Sequence, residues 1–427
     1  KMTTTTATQA KAFTVKNSMP KNILAAFLTI PNGRRLVIGE NVLIEIEPQN
    51  IRFTVTDVHG TFAIWDERRH DINGNTFAFC VDPKFLTQIA TIQDVEYSAE
   101  EQSVMVNGFT FATTSADDFP AVPEIPTTQN HYLPVSRLQH LSQFVTKDEM
   151  RPAMTGINVG PELCASDGHR LITAQGIECD PFILPVRRFL SKLKGDVIIQ
   201  EPGENKYARI YTERCDFLIR VIDAPYPDFK AVIPDPEQTK YFVSCDSEAL
   251  YNSIVKILPA ANKITQQIFF DILQSTVKLT AQDLDNGTQA KTYIDRHTNR
   301  EYTRIAFNGK YLASMLKGQK GNFTLKFNAE TKPFIWQSGD FFNLIMPVVA
   351  YNEAGEIEGP SIDVIMPAAY HAAITEGNHA GLTETDAEEI ARKTGGLTLI
   401  RWEETHPGAY DRQPRNIYTF HNPMYQA

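Results

Sequence analysis

A chain of 427 residues is long enough for two to four domains, and 42% hydrophobic residues is ordinary for soluble domains that each bury a core. The formal charge of −10 is uneven: from Ala350 onward 12 acidic residues face 5 basic ones, while the rest carries 39 and 36. An acidic total therefore does not exclude a polyanion-facing surface, because electrostatic fields are local and screened within about 8–10 Å. No apolar run reaches the ~18 residues that span a bilayer, and the N-terminus has no secretory apolar segment. The five cysteines, Cys80, Cys164, Cys179, Cys215 and Cys245, are odd in number and lack a C-x-x-C pair. They read as small buried hydrophobes of a cytoplasmic protein, with no metal site and no cofactor.

In chain order, the threonine-rich residues 1–11 are expected to be disordered. The segment Pro20–Ile30 then places Ile23, Leu24, Phe27 and Leu28 on one helical face, and Asp82–Ile92 opens on an Asp cap and a proline. Ser136–Thr146 stripes Leu138, Leu141 and Val145, and Val186–Leu193 stripes Val186, Phe189, Leu190 and Leu193. Asp246–Leu258 and Gly309–Lys317 complete a set of six short amphipathic helices among strands of period two. Such a mixture is α+β and unlike a doubly wound sheet.

Between these helices one pattern returns three times. NVLIEIEPQNIRFTVTD (41–57), INVGPELCASD (157–167) and IFFDILQSTVKLTAQD (268–283) each read as two apolar strands whose second member ends on an aspartate, Asp57, Asp167 or Asp283. Intervals of 110 and 116 residues are too long for solenoid repeats and indicate three copies of a whole domain. Proline-dense joints at 116–126 and 224–236 separate the copies, and the chain beyond about Tyr351 breaks the pattern.

The solvent faces of the predicted helices carry mostly basic residues: Lys21, Lys84, Arg137, Lys147, Arg187, Arg188, Lys192, Lys194, Lys310 and Lys317. On one helix this would be ordinary solvation. On all six, with Lys256 on Asp246–Leu258, in an acidic chain, it suits non-specific phosphate contact without base readout.

Only the middle copy contains Ser166-Asp167-Gly168-His169-Arg170-Leu171. It resembles the T-D-G-H-R-L of the bacterial sliding clamps, the beta subunits of DNA polymerase III. Further segments resemble that family in order: AlaAspAspPhePro (116–120), ArgProAlaMetThrGlyIle (151–157), TyrProAspPheLysAlaValIlePro (226–234), IleAlaPheAsnGlyLysTyrLeu (305–312) and LeuIleMetProVal (344–348). The resemblance covers about residues 12–350, and it implies clamp domains at 12–124, 125–240 and 241–350 with an extension at 351–427. Each domain would place two helices inside and antiparallel sheets outside, and two subunits would close head to tail into a ring.

The resemblance implies a processivity factor that encircles double-stranded DNA without sequence preference, a cytoplasmic, nucleoid-associated protein. Its partners would be the replicative DNA polymerase, the clamp loader and other proteins bearing a clamp-binding peptide. The peptide pocket, carried over by motif, comprises Met154, Ser166, Gly168, His169, Arg170, Leu171, Pro234, Ile345, Met346, Pro347 and Val348, with His169 and Arg170 bonding peptide carbonyls. The basic residues above, with Arg34, Arg35 and Arg151, would face DNA. Phe109, Phe111, Ile257 and Leu258 are candidates for the self-association interface. The chain departs from the family at Ser166, in place of threonine, and after Val348, where a long tail replaces the family's terminal Arg-Leu.

Two other readings remain open. One is a clamp-like interaction module without autonomous DNA loading, against which the basic helix faces argue. The other is a hydrolase using Ser166 and His169. Members of a triad converge from distant loops, and Asp167 and His169 stand only two residues apart, so no catalytic residue is assigned.

Overall fold

The computed structural model describes residues 12–16, 41–57, 60–66, 76–82, 94–100, 103–106, 109–126, 128–273, 275–283, 285–300, 302–348, 398–401 and 418–421. The three repeated hairpins form as the pattern predicts. Val42–Glu47 pairs with Asn50–Asp57, Gly156–Val159 with Glu162–Ser166, and Gln267–Ile272 with Thr276–Asp283, all antiparallel.

Compactness divides the chain into two units and not at the expected joint near 124. The first unit holds residues 1–234 and 335–345. Its largest sheet has nine strands and runs through the first two copies, because Cys215–Arg220 of the second copy pairs with Gly60–Asp66 of the first. Aromatic packing follows the sheet: Phe62 of the first copy lies 5.8 Å from Phe189 and 5.7 Å from Phe217 of the second, and Phe189 stacks on Phe217 at 4.1 Å. A core shared in this way buries apolar area across the joint, so the proline-rich segment is a connection and not a gap. A four-stranded sheet of the same unit ends on the edge strand Phe109–Ala112.

A further ladder in this unit sets Arg170–Gln175 between Glu162–Ser166 and Phe341–Ile345. Residues of the third expected copy thus complete a sheet of the second, with Arg170 opposite Ile345 and Leu171 opposite Leu344.

The second unit holds residues 235–334 and 346–427. Its helix Ser247–Ile257 is capped by Asp246, whose Oδ1 accepts from Ala249 N at 2.7 Å, and buries Leu250, Ile254 and Ile257. Helix Gly309–Leu316 is capped by Asn308, whose Oδ1 accepts from Lys310 N and Tyr311 N at 3.1 Å each. Glycine begins that helix for a packing reason: a Cβ on Gly309 would stand 2.5 Å from Ile268 Cδ1.

The middle copy departs from its predicted helices. Ser136–Thr146 yields an α-helix only over Val135–Leu141, and Val186–Leu193 yields a five-residue 3-10 helix, Arg188–Lys192, with no side-chain cap. Phe189, Leu190 and Leu193 are buried nonetheless. Apolar spacing fixes which side chains turn inward, whereas an uncapped segment this short cannot hold α geometry. Gln139 Nε2 donates to Leu190 O at 2.7 Å and Leu193 O at 3.0 Å, satisfying carbonyls that the short helix leaves open. Pro20–Ile30 and nearly all of Asp82–Ile92 lie outside the described residues.

Candidate functional site

The hexapeptide forms the turn between Glu162–Ser166 and Arg170–Gln175. Gly168 takes φ +89°, the left-handed region that side-chain-bearing residues adopt at a cost. The turn is tied from within. Ser166 Oγ donates to Arg170 O at 2.9 Å and accepts from Gly168 N at 3.1 Å. Asp167 Oδ1 accepts from His169 N and Arg170 N at 3.0 Å each, and Oδ2 accepts from Arg170 Nε at 2.9 Å. The Arg170 guanidinium also lies 4.8 Å from the Phe144 ring centre and donates through Nη2 to Gln143 O at 2.6 Å.

These bonds bear on two expectations. Arg170 is buried and its guanidinium bonds Asp167 and Gln143, so it positions the turn. Ser166 and Asp167 hold the same turn, which leaves neither poised for nucleophilic chemistry. What the turn presents to solvent is Gly168 and His169.

Arg151, expected to face DNA, stands at this turn. Its Nε donates to Asp148 Oδ2 at 2.9 Å and its Nη1 to Asp167 O at 3.3 Å. A Cβ on Gly168 would lie 2.7 Å from Arg151 Nη1 and 3.7 Å from Met154 Cε, so both side chains line the outer surface of the turn. A backbone N–H bond from Met150, and after it the hydrogen bond from Arg151, hold the exposed Asp148 carboxyl below its usual range. The signal for Arg151 lay in the sequence, since it opens the segment 151–157 that also supplies Met154.

Behind the turn, Leu171, Cys164, Ile335 and Leu344 form a buried cluster against which Tyr226, Phe229, Ile233 and Phe342 pack. Leu171 and Ile345, expected on the pocket wall, are buried and present little surface to a ligand. Pro234 is half-buried at the end of this segment. Burial also pushes the Cys164 thiol and the Tyr226 phenol well above their ordinary pKa values. Met346, Pro347 and Val348 belong to the second unit, where Met346 is exposed and Val348 N donates to Ala306 O at 2.7 Å.

The basic residues separate into two groups. Arg137, expected to face DNA, is engaged locally, donating to Asp340 Oδ2 and Gln175 O at 3.0 Å each. Lys147, Arg188, Lys192 and Lys194 are exposed in the first unit, Arg187 is half-buried there, and Lys310 and Lys317 are exposed in the second. Lys21, Arg34, Arg35 and Lys84 lie outside the described residues.

Of the self-association candidates, Phe109 is 63% exposed on its edge strand, whereas Phe111, whose ring stacks 6.5 Å from that of Phe109, is buried. Ile257 is buried and Leu258 half-buried; a Cβ on Gly309 would touch Leu258 Cδ1 at 2.8 Å, so Leu258 also serves local packing. Among the described residues no group of three or more His, Cys, Asp or Glu side chains could hold a metal ion, and no helix is long and apolar enough to cross a membrane.

No protein-family model matches the chain. Among curated proteins, the Beta sliding clamp of Chlamydia pneumoniae is 23% identical over 359 residues, covering 76% of this chain and 94% of that protein. The Beta sliding clamp of Treponema pallidum is 23% identical over 369 residues, covering 78% and 98%. Among solved structures, a DnaN sliding clamp (DNA polymerase III subunit beta) from Bartonella birtlesii bound to griselimycin matches with a TM-score of 0.68 at 18% identity, over 80% of this chain and all of that one. The DNA polymerase III beta subunit of Thermotoga maritima matches with a TM-score of 0.67 at 21% identity, over 80% and 99%.

Proposed function

We infer, on the premise that this chain belongs to the bacterial-type beta sliding clamps, that it is a DNA polymerase processivity factor working as a ring around duplex DNA. The observation that carries the reading is the end-to-end match to beta sliding clamps, which spans 94% and 98% of two relatives. The role is one of tethering and not catalysis. A ring needs only weak, sequence-blind attraction, since tight contacts to phosphates would arrest sliding. Exposed Lys147, Arg188, Lys192, Lys194, Lys310 and Lys317 suit that requirement.

Polymerase, clamp loader and other partners bind by a short glutamine- and leucine/phenylalanine-bearing peptide at the turn 166–171. Gly168, His169, Met154 and Arg151 form the accessible rim, and the rigid Asp167–Arg170 pair beneath holds it in place. An adaptable methionine beside a polar rim accommodates several related peptides. Two subunits join head to tail with Phe109–Ala112 as one contributing edge, and three repeated domains per subunit make six around the hole. The protein acts in the cytoplasm, on the nucleoid.

Fluorescence anisotropy with a labelled clamp-binding peptide tests the pocket. Wild type should bind, and His169→Ala should weaken binding by at least about fivefold. Equal affinities for the two proteins would remove the pocket assignment. A wild-type protein that slides off linear DNA but is retained on circular DNA would establish the ring, and loss from both at the same rate would leave only an interaction module.

A further inference from the structure

The run 295–300 links two sheets of the second unit. It leaves the edge strand Thr288–Asp295 of a four-stranded sheet, and His297–Thr298 then pairs with Ser244 and Val243 of the strand Tyr241–Asp246. Asn299 ties the end of the run to that strand, donating through Nδ2 to Lys240 O at 2.8 Å and accepting at Oδ1 from Phe242 N at 2.9 Å.

Arginine at position 296 breaks the pattern of the edge strand. Arg296 N donates to Ser275 O at 3.2 Å, one step beyond the Thr276–Asp295 pair, so the ladder still sets which way its side chain turns. Alternation puts it on the face of Ile294, which lines a small apolar cavity with Val277, Ile272 and Leu250. That face calls for an apolar residue.

The guanidinium is poorly satisfied there. Nε donates to Thr276 O at 3.3 Å, but Nη1 and Nη2 are both buried without a hydrogen-bond partner among the described residues. Burial lowers the Arg296 pKa to about 10, and no ion pair with the described residues offsets it. Arg300, on the same run, fares better. Its Nη2 lies 2.5 Å from Glu330 Oε1 and its guanidinium 4.4 Å from the Tyr241 ring centre, although its Nη1 is also buried and unpartnered.

A buried cation without a counter-charge is a costly state, and an anion from outside the chain would relieve it. The open Nη1 and Nη2 form a planar fork that matches two oxygens of one phosphate or carboxylate. Both nitrogens are recessed from any flat surface, yet the residue as a whole is only half-buried, which suits a small ion and not a duplex or a folded partner. We propose that Arg296 is the seat of a small-oxyanion site in the second unit, with Arg300 supplying a second positive charge. The bound ion would brace the run where it crosses from one sheet to the other.

Thermal unfolding of the full chain in sodium phosphate, against sodium chloride at equal ionic strength, tests this. Phosphate should raise the wild-type melting temperature by at least about 2 °C. Arg296→Met, of similar length but uncharged, should lose that increment. Acetate in place of phosphate separates a planar carboxylate from a tetrahedral oxyanion. Equilibrium dialysis with radiolabelled phosphate gives a second reading: one ion per wild-type chain, bound at least about tenfold more weakly by Arg296→Met. Should that variant not fold, Arg296→Lys, which keeps the charge without the fork, should weaken binding in its place. An equal phosphate shift in wild type and variant, as a general salt effect would give, would overturn the proposal. So would a wild type that neither phosphate nor acetate stabilises.

Discussion

Asp167 holds Arg170 at two points: Oδ1 accepts its backbone N–H at 3.0 Å, and Oδ2 accepts its Nε at 2.9 Å. Both side chains are buried, and the rest of the Arg170 guanidinium is satisfied by Gln143 O and the Phe144 ring. A turn locked from beneath in this way presents Gly168 and His169 in one geometry, which lowers the ordering cost of binding a peptide.

Removing Asp167 takes away the carboxylate that both the backbone N–H and the Nε of the buried Arg170 contact. Asp167→Ala should therefore destabilise the protein by about 3 kcal/mol, the scale for breaking a buried ion pair. Chemical denaturation checks this, and an unchanged midpoint would show the pair to be incidental.

Gly168→Ala forces a Cβ into the left-handed region at a cost of about 1–2 kcal/mol. The new methyl also meets Arg151 Nη1. Because that contact is with the end of a flexible side chain, the backbone term should dominate. Stability should fall equally in wild-type and Arg151→Ala backgrounds, and full rescue by Arg151→Ala would assign the loss to the clash instead.

His140 supplies a pH dependence. Its ring lies 4.5 Å from Phe341 and 5.8 Å from Phe144, and burial lowers its pKa from 6.5. The unfolded chain then binds a proton more readily than the folded one between the two pKa values. Stability is undiminished above pH 6.5 and declines as pH falls through the lowered folded value. Thermal melts between pH 7.5 and 5 should show this slope, reduced in His140→Gln; the same slope in both would move its origin elsewhere.

Charge reversal at Arg188, Lys192 and Lys194 should shorten retention on nicked circular DNA at about 0.1 M salt. Each lost phosphate contact should flatten the dependence of log affinity on log salt by about 0.9. Peptide affinity should not change, and retention equal to wild type would displace these residues from the DNA-facing surface.

Phe109→Ala removes an exposed aromatic from an edge strand. If that edge joins subunits, sedimentation velocity should show self-association weakened at least about tenfold, the scale of an interface anchor. Phe111→Ala, at a buried position, should instead lower stability.

The repeated hairpins, the capped helices Ser247–Ile257 and Gly309–Leu316, and the turn at 166–171 were legible in the sequence, because strand alternation, Asp and Asn caps and a mandatory glycine are local chemistry. The side-chain roles were less so. Arg137, Arg151 and Arg170 share one residue type in a basic neighbourhood, and sequence could not distinguish them. Their carboxylate partners do: Asp340 lies 203 residues from Arg137, while Asp148 and Asp167 become reachable to Arg151 and Arg170 only once the turns close.

Domain separation was decided in the same way. Proline-rich joints and a fixed period mark three copies in the linear chain, but hydrogen bonding between strands knows nothing of sequence distance. Gly60–Asp66 pairs with Cys215–Arg220, and Arg170–Gln175 with Phe341–Ile345. The sequence by itself determined which residues form each hairpin and which turn inward, because those depend on neighbours a few positions away. Only the tertiary structure decided which copies share a sheet and which carboxylates hold Arg137, Arg151 and Arg170, because both depend on partners that folding brings together.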